Sequence, residues 1–233
     1  MDVLTTTAAE WGIALTPQQR EQFAIYAAEL MRWNERVNLT AITDEHAIVA
    51  RHFLDSLRCG LSWGAPPASL IDVGSGAGFP GLVLKIAWPA IRVTLVESIA
   101  KKAAFLEHMR VRLGLSDVVV LVARAEVLGH DPAQRERYDV AVARAVAGLP
   151  VLAEYCLPLC RIGGRFLAPK GAQIAGELAG AQAAINRLGG RVAAIEPVLI
   201  PGIEPRTLVV IDKLAATPPQ YPRAPGLPAK RPL

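Results

Sequence analysis

The chain has 233 residues, 52% of them hydrophobic, and a formal net charge of +4, which suits one large domain or one domain with an appendage. Its three cysteines, Cys59, Cys156 and Cys160, form no C-x-x-C pair, which argues against a disulfide framework or zinc knuckle and fits a reducing compartment. With no basic leader and no run of about 18 apolar residues, a soluble, cytoplasmic protein without membrane attachment is expected.

Residues 1–64 read as a helical segment. Thr16, Pro17 and Gln19 supply an N-cap, a first-turn proline and a capping-box partner. Phe23, Tyr26, Ala27, Leu30, Trp33 and Val37 then recur at spacings of three and four, predicting an amphipathic helix of about five turns. Asn38-Leu39-Thr40 breaks it. A second helix is expected from about Asp44, with Val49, Phe53 and Leu57 on one face and His52 and Asp55 near another. Gly60 to Ala68, containing Pro66-Pro67, reads as a link to the main domain, residues 65–214.

The stretch from Leu70 to Leu82 organises that domain. A short apolar run meets Gly74, Gly76 and Gly78, and a helical pattern follows from Gly81, so the glycines sit where a strand gives way to a helix whose N-terminus can face a ligand. The spacing has two readings. Gly76, Gly78 and Gly81 match the dinucleotide fingerprint, which would imply a nicotinamide or flavin oxidoreductase. Asp72 with Gly74, Gly76 and Gly78 matches the acidic-x-G-x-G-x-G motif of class I AdoMet-dependent methyltransferases. Glu97, at the end of the next strand, serves a ribose in either case. Asp72 favours AdoMet, because an acid there can orient the turn and face a cationic methionyl end but would repel a pyrophosphate.

From Leu70 onward strands and helices alternate, as in parallel βαβ units. Strands are expected at Leu70–Val73, Arg92–Glu97, Val118–Val122, Tyr138–Ala143, Arg165–Pro169, Val192–Ile200 and Thr207–Lys213, with helices at Leu82–Ala87, Lys101–Leu113, Pro150–Arg161 and Ile174–Leu188. The last two strands, joined at Pro201 to Pro205, imply a terminal antiparallel hairpin. Residues 151–233 hold 10 Lys and Arg against 5 Asp and Glu, a basic excess that suits either an anionic partner or a solvated face. Six prolines between Pro218 and Pro232 by composition indicate an extended tail over 215–233.

Ligands of doubly wound sheets bind beyond the carboxyl ends of the strands. That rule collects Gly74 to Phe79, Glu97-Ser98-Ile99, Arg124-Ala125-Glu126, Arg144 and Lys170-Gly171, with Ile99 and Ala125 bordering an adenine and Glu126 accepting from its amino group. Ala143-Arg144-Ala145-Val146 lacks the Asn/Asp-Pro-Pro-aromatic motif of amino-group methyltransferases, and Cys156 and Cys160 fall in an expected apolar helix rather than a nucleophile loop. An arginine there suits an unprotonated nucleophile such as a purine N7, which has to be held rather than deprotonated. The histidines (46, 52, 108, 130) lack metal-ligand spacing, so no metal is expected.

The ordered set Trp33-Asn34, Asn38-Leu39-Thr40, His52, Asp55-Ser56-Leu57, Asp72 to Gly81, Lys101-Lys102, Phe105-Leu106, Arg124-Ala125-Glu126, Arg144-Ala145, Pro169-Lys170-Gly171, Arg206 and the tail from Thr217 to Leu233 resembles the ribosomal RNA small subunit methyltransferase G family. That resemblance implies a class I AdoMet-dependent (Rossmann-like) α/β fold, a seven-stranded, mostly parallel sheet with a terminal hairpin behind N-terminal helices. It implies methylation of N7 of a guanine, position 527 in the 530 loop of 16S rRNA, with naked rRNA, an assembly intermediate and the complete small ribosomal subunit all open as the substrate. Cofactor contacts would be Gly74, Gly76, Phe79, Glu97, Ser98, Ile99, Ala125, Glu126 and Arg144. Arg144, Arg124 and Lys170 would position guanine or RNA without a general base, and Asn38, His52, Asp55 and Arg206 would contact substrate. Ala143 stands where many members carry Ser. The resemblance also implies a tail folded back on the domain, and nothing demands more than a monomer. A non-catalytic AdoMet- or RNA-binding protein is the remaining alternative.

Overall fold

The computed structural model describes the whole chain, Met1–Leu233. The N-terminal part contains α1 (Asp2–Glu10), α2 (Pro17–Asn34), α3 (Glu45–Ile48), a π-helical turn at Val49–Leu54, α4 (Asp55–Cys59) and a 3-10 turn at Gly60–Ser62. At the start of α2 the Thr16 hydroxyl accepts from Gln19 N and Gln19 Oε1 accepts from Thr16 N, the capping box expected there. The helix ends at Asn34, so Val37 lies beyond it rather than within it, although its N–H still reaches Trp33 O. Asn34 explains the stop, because its side chain binds the backbone of Leu39 and Thr40 and turns the chain.

The remainder runs β1 (Ser69–Val73), α5 (Gly81–Ala87), β2 (Arg92–Glu97), α6 (Ala100–Arg112), β3 (Val118–Val122), α7 (Ala125–Leu128), β4 (Tyr138–Val142), α8 (Leu149–Cys156), β5 (Cys160–Gly171), α9 (Ala175–Arg187), β6 (Gly190–Val198), β7 (Arg206–Lys213) and α10 (Leu227–Lys230). The sheet order is β3-β2-β1-β4-β5-β7-β6, with β7 antiparallel to both β5 and β6. This is the expected mostly parallel sheet with a terminal hairpin. One correction concerns the expected helix to Arg161. It stops at Cys156, and Cys160 opens β5, because Pro158 cannot continue the helix.

Side chains alternate across the sheet. On β7, Leu208 and Val210 join a core shared with α1, α2, α5 and α6, while Val209 and Ile211 join a second core under α8 and α9. The tail packs on that second side. Arg135 donates to Thr217 O, Pro218 O and Tyr221 O, the fully buried Glu154 carboxylate takes the Arg223 guanidinium and backbone N–H, and Gly226 N donates to Glu126 Oε1. No helix is long and apolar enough to cross a membrane.

Candidate active site

β1 lies between β2 and β4, so the chain leaves it toward one side of the sheet and returns on the other. Such a switch point leaves a crevice beyond the strand ends. Two adjoining cavities fill it. The larger, about 480 Å³, lies between the glycine turn, Glu97 to Ile99, Arg144 and the Thr40–His52 edge of the N-terminal part. The smaller, about 230 Å³, lies over Arg124, Ala125 and Glu126 and is bordered by Tyr155 and Ala229. Gly74, Ser98 and Val146 line both.

The turn between β1 and α5 is held from beneath. Asp72 is fully buried, and its Oδ2 accepts from Gly81 N at 2.9 Å, fixing the start of α5. It lines neither cavity. Its role is thus to orient the turn, and the expectation that it also faces a cationic ligand end is corrected. Burial pushes its carboxyl up to about 7 against the pull of the Gly81 N–H and Arg144, and Oδ1 has no partner. Gly74 and Gly76 both take positive φ. A Cβ on Gly74 would meet Val146 at 2.5 Å, while one on Gly76 would find no atom closer than 3.9 Å. The first glycine therefore admits the loop after β4 and the second leaves room above the turn. The Glu97 carboxylate accepts from Gly76 N at 3.0 Å and Ile99 N at 2.8 Å, tying the end of β2 to the turn.

Facing the turn is a polar knot on an aromatic base. Arg144 donates through Nη1 to Asp55 Oδ2 at 2.9 Å and Arg51 O at 3.1 Å, and through Nη2 to His52 Nδ1 at 3.1 Å. Only 11% of its side chain is exposed, and its Cζ sits 5.1 Å from the Phe79 ring centre. Phe79 is stacked between His52, 4.4 Å between centroids, and Tyr26, at 5.2 Å, and the Tyr26 hydroxyl donates to Ala77 O. Asp55, almost fully buried, also takes Arg206 Nη1 at 3.4 Å. Burial and the nearby arginines lower the His52 ring to about 3, so it is neutral at physiological pH.

His52 thus belongs to the cavity wall with Phe79 and Arg144, whereas Asp55 lines neither cavity and lies buried behind the arginines, so its expected contact with substrate is corrected to one through them. Arg124, half exposed, lies 3.6 Å from Glu126 Oε2, and Glu126 is tied to the tail. Lys170 lines neither cavity. Its Nζ donates to Ala147 O at 2.8 Å and Glu177 Oε1 at 2.7 Å, and Glu177 also accepts from Leu149 N, so the pair fastens the loop after β4. Asn38 is exposed and outside both cavities. Thr40, Lys102, Val146, Tyr155 and Ala229 line the cavities without having been expected as site residues. Of these, Thr40 had a local signal in the break after α2, and Lys102 one in the Lys101-Lys102 pair.

A family model described as rRNA small subunit methyltransferase G matches residues 19–201. Proteins named ribosomal RNA small subunit methyltransferase G from Roseiflexus sp. (strain RS-1) and Geobacillus kaustophilus (strain HTA426) are similar along the chain. The first is 67% identical and the match covers all of both chains. The second is 46% identical over 98% of this chain and 97% of the relative. Among solved structures, MtNAS in complex with MTA and tNA aligns with a TM-score of 0.57 at 16% identity, over 91% of this chain and 75% of that one. The O-methyltransferase NcsB1 from neocarzinostatin biosynthesis, in complex with S-adenosylmethionine and 2-hydroxy-5-methyl naphthoic acid, aligns at 0.51 and 20% identity, over 63% and 49% respectively. At such identities the structural likeness concerns the fold.

Proposed function

Because the chain belongs to the ribosomal RNA small subunit methyltransferase G family, we propose that it transfers a methyl group from S-adenosylmethionine to N7 of a guanine in 16S rRNA, position 527 in the 530 loop. The observation that carries the choice of N7 is that the basic atoms beside Arg144 are engaged. His52 Nδ1 accepts from Arg144, and Asp55 Oδ2 accepts from both Arg144 and Arg206. A hydroxyl or amino nucleophile has to lose a proton, which calls for a base. Purine N7 attacks with a free lone pair and needs only to be held in line.

The residues present fit the cofactor. Gly76 leaves space above the turn, Glu97 offers a carboxylate at the ribose position of such folds, and Ser98, Ile99 and Ala125 border the passage to the smaller cavity. When bound, S-adenosylmethionine supplies an electrophilic methyl group on a sulfonium. The chain then has three tasks: Glu97 orients the nucleoside, His52, stacked on Phe79, borders the cavity, and Arg144, clamped on three sides, holds positive charge near the reacting base without competing for N7. Arg206 and Arg124, on the exposed side, are placed to meet RNA phosphates. Asp55 acts through the arginines it orients, and Lys170 through the loop it fastens.

Incubation with labelled S-adenosylmethionine and 16S rRNA, free and within small subunits, followed by digestion to nucleosides, is expected to yield labelled 7-methylguanosine. Label in an amino group or at C5 would overturn the reading. In thermal shift, S-adenosylhomocysteine but not NADH is expected to stabilise the protein; the reverse would favour the oxidoreductase.

A further inference from the structure

We propose that Thr40 tells guanine from adenine, its hydroxyl acting as an obligate hydrogen-bond donor to the base O6. This deepens the guanine-N7 reading and rests on it. A threonine hydroxyl ordinarily gives or takes a hydrogen bond and so cannot separate the two purines by itself. The surroundings of Thr40 remove that freedom.

A guanidinium can only donate, so in the 3.1 Å contact between Arg144 Nη2 and His52 Nδ1 the ring nitrogen accepts. The single proton of the neutral imidazole then resides on Nε2. That nitrogen lies 2.9 Å from Thr40 Oγ1 and donates to it. Ile42 N donates to the same oxygen at 3.1 Å. Both acceptor sites of the hydroxyl are filled, and its proton has no acceptor within the protein. Thr40 lines the larger cavity with Gly76, Phe79, Glu97 and Arg144, and this is where the free O–H can be used.

The position is also fixed. Asn34 Oδ1 accepts from Leu39 N at 2.7 Å and Thr40 N at 2.9 Å, and Asn34 Nδ2 donates to Thr40 O at 2.8 Å, so the hydroxyl is held by backbone rather than by a mobile side chain. Guanine presents O6, an acceptor, beside N7, whereas adenine presents an N6 amino donor there. A committed donor is satisfied by the first and opposed by the second, leaving N7 itself free. Asp55, Arg144, His52 and Thr40 thereby form a relay of orientation that begins at a buried carboxylate and ends at the base edge.

The test uses Thr40→Val and Thr40→Ser with small subunits whose target guanine is retained or replaced by 2-aminopurine, which keeps N7 and lacks O6. Wild type is expected to favour guanine by about tenfold in kcat/KM, the worth of one hydrogen bond. Thr40→Ser keeps that ratio, and Thr40→Val brings it close to one while S-adenosylhomocysteine affinity stays near wild type and the protein stays folded, with an unfolding temperature lowered because His52 Nε2 and Ile42 N lose their acceptor. An unchanged ratio in a folded Thr40→Val protein overturns the assignment, as does a loss of S-adenosylhomocysteine affinity, which would put the hydroxyl on the cofactor. Wild type that forms no 7-methylguanosine overturns the functional reading itself and the assignment with it.

Discussion

Gly226, at the head of α10, donates its N–H to Oε1 of Glu126 at 2.9 Å, so the last turn of the chain is pinned to the floor of the smaller cavity, where Ala229 lines the wall. Removing residues 224–233 should therefore weaken S-adenosylhomocysteine binding more than it lowers stability. A loss of about tenfold is expected by calorimetry, the scale of a lost hydrogen bond with some apolar wall.

Arg223 anchors the same tail. Its guanidinium and backbone N–H both reach Glu154, whose side chain is fully buried. Arg223→Ala leaves that carboxylate without its cation, a loss in the range of about 3–5 kcal/mol. Glu154→Gln together with Arg223→Ala should recover part of it, and denaturant unfolding of the two variants measures the difference.

Asp72 makes stability depend on pH. Its carboxyl, raised to about 7 in the fold, titrates near 4 when unfolded. The folded chain holds the proton more tightly, so this contribution is complete below pH 4 and is lost as the pH rises through 7. Asp72→Asn still offers an oxygen to Gly81 N and carries no charge. It should exceed wild type in stability by about 4 kcal/mol at pH 8.5, roughly three units at about 1.4 kcal/mol per unit, and the gap should close below about pH 4. Unfolding curves at the two pH values check this.

His52 behaves oppositely. Its ring is lowered to about 3, so its share of stability is present above about 6.5 and is lost as the pH falls toward 3. Between pH 5 and 8, nitrogen NMR should report one neutral tautomer protonated at Nε2. The kcat profile should show no inflection from this ring over the same range.

Arg144→Lys keeps a positive charge but not the planar fork. An ammonium cannot hold Asp55, His52 and the Arg51 carbonyl in the same geometry, so the wall should loosen. Turnover is expected to fall by about a hundredfold, the scale of misplacement in a positioned site, while S-adenosylhomocysteine affinity changes less than tenfold. Single-turnover kinetics separate the two.

The sheet was legible because each strand carries its own apolar run between turn residues, as at Leu70–Val73 and Arg92–Glu97. The capping box at Thr16 and Gln19 was equally local. The helix expected through Arg161 failed because an apolar run of helical length hid both the Pro158 stop and the start of an inner strand. The glycine turn and Glu97 were readable from spacing. What no spacing contains is the crossing of distant elements: Asp55 beneath two arginines, Glu126 held by Gly226, Lys170 turned toward Glu177 rather than outward. Composition alone described the tail as extended, since buried ion pairs such as Arg223 with Glu154 leave no local trace.

The π-helical turn at Val49–Leu54 works as a phase adjuster. A π turn holds one residue more than an α turn, and one residue corresponds to about 100° around a helix axis. Ile48 before it and Leu57 and Cys59 after it all point inward, while His52 and Asp55 both reach Arg144. Deleting one residue between Val49 and Leu54 would restore regular winding and force a choice between these inward side chains and the guanidinium. The extra residue lets the helical part serve the interior and the cavity at once.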